Sequence, residues 1–133
     1  MKEPQFRRVT GIGGVFFKAR DPDALKAWYH DHLGIVPTDW GGTVFLWREM
    51  DDPARTGSTV WSPFPHDTTY FNPSAAPFMI NYRVADLDRL LEALRREGVQ
   101  VDDRIEQHEY GRFGWIMDPE GNRIELWEPA AGP

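Results

Sequence analysis

Val15-Phe-Phe-Lys-Ala-Arg-Asp21 and Ile80-Asn-Tyr-Arg-Val-Ala-Asp86 are two versions of one phrase. Each alternates through a β-rich run and stops at an aspartate, and a period of two is the mark of a half-buried strand. A helical pattern follows each. Leu87, Leu90, Leu91 and Leu94 fall at i, i+3, i+4 and i+7, which gathers the leucines on one helix face. Leu25, Trp28, Tyr29 and His32 repeat that spacing in the first copy. Asp21 and Asp86 have the chemistry of N-caps, and Pro22 suits a first helical turn. Gly34 and Gly98 stand where a C-terminal glycine is wanted.

Outward from these phrases, three short β-like runs are expected after each helix. In the first copy they are Ile35–Asp39, Thr43–Arg48 and Ser58–Ser62; in the second, Val99–Arg104, Arg112–Met117 and Arg123–Glu128. Asp118-Pro119-Glu120-Gly121-Asn122 places Pro and Gly for a tight hairpin turn. Both copies close on Trp-x-Pro, at Trp61 and at Trp127. The pattern predicts an α+β fold, a single domain over residues 1–133, made of two βαβββ modules at about 9–64 and 78–129. The linker, about 65–77, carries Tyr70 and Phe71, which suggests that it packs on something. A strand, a helix and three strands give a curved sheet with the helix on its convex face. Two such units close a cup between their concave faces.

Composition narrows the function classes. A net charge of -6 disfavours a phosphate backbone as partner, so no nucleic acid is expected. No stretch approaches the roughly 20 apolar residues of a membrane-spanning helix. Met1 to Thr10 is polar and lacks the apolar core of a signal peptide, so a cytoplasmic location is expected. The count of 0 Cys excludes a disulfide scaffold, a thiolate metal site and a cysteine nucleophile. The 6 Trp fit either a ring-rich core or a cavity lined by rings. Gly11-Ile12-Gly13-Gly14 precedes a strand instead of opening a helix, so it is not a nucleotide fingerprint. There is no G-x-S-x-G nucleophile elbow.

The repeat, together with the string Asp118-Pro-Glu-Gly-Asn-Arg-Ile-Glu-Leu-Trp127, resembles the vicinal oxygen chelate superfamily over about residues 9–129. Glyoxalase I, extradiol dioxygenases and bleomycin-resistance proteins belong to it. The resemblance implies paired βαβββ modules forming a cup, a small-molecule ligand or substrate, and a homodimer. It does not imply one chemistry, because function resides in the site and not in the fold.

Strand alternation then assigns faces. With Leu126 and Val60 placed under the helices, the cup is expected to carry Phe16, Thr59, Trp61, Met79, Asn81, Glu125 and Trp127, with Lys18 and Arg83 near its rim. Arg112 and Trp115 are further candidate ligand contacts, and Tyr110 a candidate acid–base group beside Glu125. Metal-using members of the superfamily supply His, Gln or Glu from four strand positions. Carried over, these fall on Gly14, Thr59, Met79 and Glu125, and only the last is a ligand type. One carboxylate cannot hold a transition metal, so no metal and no cofactor is expected unless that placement is wrong.

A relocated site would need His66 and His108 to meet Glu125, although loop histidines are mostly solvated. His30 and His32, two apart on a helix, do not share a face. Glu125 itself is either a strand carboxylate paired to Arg83 or Arg112, or a ligand anchor or general base. The favoured reading is a metal-free binder of a small aromatic or amphipathic molecule, similar to the bleomycin-resistance type. The alternative is a lyase, isomerase or dioxygenase of the glyoxalase type, working through a relocated metal or through Glu125 and Tyr110.

Overall fold

Asp21 and Asp86 each accept a hydrogen bond from the backbone N–H three residues on, at Ala24 and Arg89, both at 3.1 Å. Helices α1 (Pro22–Leu33) and α2 (Leu87–Arg96) begin at these caps. Gly34 ends α1 in the left-handed conformation, at φ 70°, where a side chain would be strained. The structure is a computed structural model that describes residues 7–130; the start of the polar Met1–Thr10 segment and the last three residues lie outside the described range.

The strands are β1 (Val9–Ala19), β2 (Thr43–Arg48), β3 (Thr56–Pro65), β4 (Phe78–Val84), β5 (Glu106–His108), β6 (Gly111–Met117) and β7 (Arg123–Pro129). They form one open mixed sheet in the order β2-β3-β1-β4-β7-β6-β5. The fold class is α+β. β1 and β4 meet antiparallel at the middle, β3 and β7 run parallel to them, and antiparallel hairpins complete each side. The two halves of the sequence are thus the two halves of the sheet.

Two expected strands do not form. Residues 35–38 are irregular and 39–40 form a turn; Thr38 bonds Gly42 O through both its N–H and its hydroxyl, and Thr43 Oγ1 donates to Val36 O. Pro37 has no N–H to give to a ladder, and the segment turns back instead. Residues 99–104 contribute only the bridge Val101↔Ile116, because Asp102 accepts from Arg104 N and bends the chain. A short strand, β5, forms beyond this bend, where a loop was expected at His108.

Leu87, Leu90 and Leu91 pack with Val84 and Leu126 into one core, with Tyr82 and Ile124 beside it. α1 sits differently. None of its residues is buried, and it meets the sheet through Tyr29, whose ring lies 4.9 Å from that of Trp61. The pairs Val15↔Ile80 and Phe17↔Phe78 put the Trp61 side of β1 on the same face as the α2 side of β4. Both helices therefore share one face of the sheet. Phe16, Met79, Trp115 and the linker's Phe71 form a second core on the other face. The linker folds across the helix-free face.

Leu91 is almost fully buried in the α2 core. Leu91→Ala is expected to cost about 2–5 kcal/mol in urea-denaturation stability. The cap variant Asp86→Ala should cost about 1 kcal/mol.

Candidate functional site

Strand pairing sets the side chains of the helix-free face in transverse rows. One row runs Phe113, Trp127, Arg83, Gly11. The next runs Trp115, Glu125, Asn81, Gly14, Val60. A third joins Met79, Phe16 and Ser62. Glycine makes the crowding at β1 sterically feasible. A Cβ on Gly13 would stand 2.3 Å from Asn81 Oδ1 and 2.9 Å from Trp127, and one on Gly11 would stand 2.5 Å from the Trp47 ring.

Glu125 is 2% exposed and lies at the centre of the middle row. Asn81 Nδ2 donates to its Oε1 at 2.6 Å, Trp115 Nε1 donates to Oε2 at 3.0 Å, and the Tyr70 hydroxyl makes a short hydrogen bond to Oε2. Burial pushes the Glu125 carboxyl above its ordinary range; the three donors and the Arg123 charge pull back without cancelling that push. Tyr70 is pushed up as well, first by burial and then by the neighbouring Glu125. The pair can hold and pass a proton, but Tyr70 and Phe71 cover it from the linker side.

Trp47, Arg83 and Trp127 make the outer row. The Arg83 guanidinium lies over the Trp127 ring at 5.0 Å and over the Trp47 ring at 5.5 Å. Phe113 stacks parallel to Trp127, centroids 6.0 Å apart, and Tyr110 and His108 meet Phe113 edge-on. Tyr110 is 56% exposed, so this end of the row reaches solvent through rings.

Several expected site residues lie elsewhere. Trp61 packs against Phe17 and Tyr29 on the helix face, and it is Val60 that joins the opposite core. The register Val15↔Trp61 decides this, whereas the Trp-x-Pro analogy suggested the reverse. Thr59 has the same strand parity as Trp61 but touches the outer row: its hydroxyl donates to Ile12 O and accepts from Trp47 Nε1. Arg112 forms a bidentate pair with Asp88 of α2, so it belongs to the helix side. Neither Arg112 nor Arg83 pairs with Glu125. Tyr110 is separated from Glu125, and the phenol that touches the carboxylate is Tyr70. Trp115, expected as a ligand contact, is fully buried, and Phe16 is covered by Phe71 and Phe64.

The linker aromatics carried a packing signal in the sequence; nothing local tied Tyr70 to Glu125. Trp47 and Ser58 were missed. The glycines that admit the Trp47 ring, Gly11 and Gly57, were the available signal.

The superfamily's metal positions can now be placed by register. Phe16↔Ser62 in the first half mirrors Asn81↔Glu125 in the second, so the counterpart of Glu125 is Ser62 and not Thr59. The four positions then hold Gly14, Ser62, Met79 and Glu125. Among the described residues no group of three or more His, Cys, Asp or Glu could hold a metal ion. His66 is exposed, and His108 bonds Glu106 at 3.1 Å. Both Glu125 oxygens already face N–H or O–H donors, so the residues present do not fit the usual divalent cation.

These features define a paired-half α+β protein with a sealed carboxylate and a ring-lined row on one sheet face. Residues 11–126 match the Glyoxalase/Bleomycin resistance protein/Dioxygenase superfamily, and the chain belongs to that superfamily. Among solved structures it is similar to methylmalonyl-CoA epimerase from Mycobacterium tuberculosis, at 26% identity and TM-score 0.58, covering 98% of this chain and 93% of that one. A Streptomyces coelicolor methylmalonyl-CoA epimerase superposes with TM-score 0.67 at 18% identity, covering 92% of this chain and 99% of that chain, a likeness of fold. A stretch of 42 residues is 48% identical to part of a formamidopyrimidine-DNA glycosylase from Cupriavidus pinatubonensis. It spans 32% of this chain and only 14% of that protein, too little to carry the glycosylase's activity across.

The raised Glu125 fixes the sign of a pH effect. The folded protein holds this proton more tightly than the unfolded chain, so the contribution is full below the ordinary glutamate value of about 4.3 and is lost as pH rises to the raised value. Measured by urea denaturation across pH, wild type should lose stability relative to Glu125→Gln through that window. The lowered carboxylates Asp88, Asp102 and Asp118 act in the opposite direction but are common to both proteins. A difference that does not change with pH would mean Glu125 titrates normally.

Proposed function

We propose that this protein binds a small aromatic or amphipathic molecule on the helix-free face, without the superfamily's usual metal centre. The observation that carries the reading is the outer row: a stacked Phe113–Trp127 pair continues to the exposed Tyr110 and His108 and lies beside a carboxylate already sealed by its own donors. Rings near solvent offer a flat ligand area at low entropic cost. Of the rings first expected to stack on a ligand, Trp61 lies under α1 and Phe16 is covered, so contact moves to Tyr110 and Phe113, with Trp127 behind them.

Naphthalene-carboxamide, followed by quenching of tryptophan fluorescence, is the test probe. Trp127→Ala and Tyr110→Ala should each weaken it about two- to tenfold, in line with the ~0.5–1.5 kcal/mol of a ring pair beyond its buried area. Trp28→Ala, on the exposed side of α1, should leave the affinity unchanged. Elemental analysis of protein purified without chelator should find no stoichiometric zinc, iron, manganese or nickel. Unchanged affinity in both ring variants, or a bound metal, would overturn the reading.

One observation favours a second reading. The Tyr70–Glu125 pair has the proton-handling character of an acid–base couple, and a similar solved structure at 26% identity is an epimerase. A lyase, isomerase or dioxygenase built on this pair would require Phe71 to move aside while Tyr70 keeps its hydrogen bond to Glu125. Tyr70→Phe would then abolish turnover while leaving binding at the ring row.

A homodimer is part of the proposal. β2 is an edge strand that exposes Val44, Phe45 and Leu46, with Trp40 exposed nearby, and an unpaired apolar edge invites a second copy. Sedimentation equilibrium should give the mass of two chains for wild type and of one chain for Leu46→Glu. A cytoplasmic location is part of the same proposal, and the acidity of the chain argues against nucleic-acid partners. Among the described residues no helix is long and apolar enough to cross a membrane.

A further inference from the structure

We infer that Arg83 anchors the carboxylate of an aromatic or amphipathic acid, making the ring row a site for organic anions. This inference rests on the ring-row reading and names the class of ligand that the row would take.

Arg83 is 6% exposed and has no carboxylate within ion-pair distance among the described residues. Among the described residues its one side-chain hydrogen bond is long and goes to a neutral group, Nη1 to Ser58 Oγ at 3.3 Å. Buried charges are ordinarily paired, and an unpaired one is costly. The acid whose field reaches it most, Glu49, is shared between Arg7 at 3.7 Å and Arg55 at 3.6 Å. Burial works against the Arg83 charge, and Arg55 adds to the repulsion. An anion arriving here would meet a cation whose main acidic neighbour, Glu49, is shared with two other arginines.

Geometry says how the anion would approach. The guanidinium carbon lies within 5.5 Å of both indole centroids, Trp47 and Trp127, and among the described residues only Nη1 is bonded, to Ser58, which leaves Nε and Nη2 for a partner. The buried side-chain polar atoms without partners include Asn81 Oδ1 but no nitrogen of Arg83, which means that the Arg83 groups without a bond keep contact with solvent. The Nε and Nη2 groups of a guanidinium form a planar fork, and a carboxylate matches it with two parallel hydrogen bonds. Trp127 then links the anchor to Phe113, and the ligand's apolar body has rings to lie along. Arg83 is thus both anchored and under-satisfied.

The test compares naphthalene-carboxylate with the carboxamide of the same shape, by tryptophan fluorescence on the full chain. Wild type is expected to prefer the carboxylate by about tenfold or more, the scale of a hydrogen bond to a charged group. Arg83→Met should bring that ratio close to one, and Arg83→Lys, which keeps the charge and loses the fork, should reduce it. If wild type binds both compounds equally, the anion inference falls while the ring row stands. If it binds neither, both fall. A ratio in Arg83→Met equal to that of wild type would also overturn the assignment. Should Arg83→Met not fold, the wild-type comparison and Arg83→Lys decide the matter, and an undiminished ratio in the lysine variant would refute the fork.

Discussion

A carboxylate removed from water must be met by donors, and Glu125 draws them from three separate places. Asn81 comes from β4, Trp115 from β6 and Tyr70 from the linker. The first two are its direct cross-strand neighbours, so the sheet register alone delivers them. The third requires the linker to cross the sheet. Once Tyr70 bonds Glu125, its neighbour Phe71 is set down on Phe16, Met79 and Trp115, and the hydrophobic and polar halves of the closure reinforce each other.

That closure changes what the helix-free face can do. The middle of the face, where relatives that use a metal place their ligands, is occupied by the chain's own phenol and rings. Glycine, serine and methionine stand at the other positions, and both Glu125 oxygens are taken by N–H or O–H donors of Asn81, Trp115 and Tyr70. On this face it is the Tyr110 end of the outer row that reaches solvent. Along that row the protein has two indoles, a cation and a string of rings running to solvent.

The two halves of the sheet are alike in topology and unlike in packing. α2 buries a leucine stripe in a closed core, while α1 has no buried residue and touches the sheet through Tyr29. The first half accordingly leaves apolar groups on α1 and β2 facing solvent, and the second does not do so to the same degree. A sequence repeat is a statement about backbone periodicity. It places few constraints on how tightly each copy packs.

Much was legible in the chain itself. Asp caps, a leucine stripe at helical spacing and period-two alternation are local rules, so both helices and most strands could be read without coordinates. In β7, alternation separates Leu126 from Glu125 and Trp127, and in the fold Leu126 packs on α2 while Glu125 lies on the other face. In β3 the same rule gave the wrong side, because alternation says that neighbours oppose each other and not which of them faces a helix. That choice belongs to the parallel register with β1, which pairs Val15 with Trp61 across 46 positions of chain. Tyr70 on Glu125, at a separation of 55, and Arg83 between Trp47 and Trp127 are of the same kind. The sequence by itself determined both helices, most of the strands and the few metal-ligand side chains available, since these follow from side-chain chemistry and short-range geometry. Only the tertiary structure decided which groups meet, because contacts between distant segments depend on strand register and on how a linker closes.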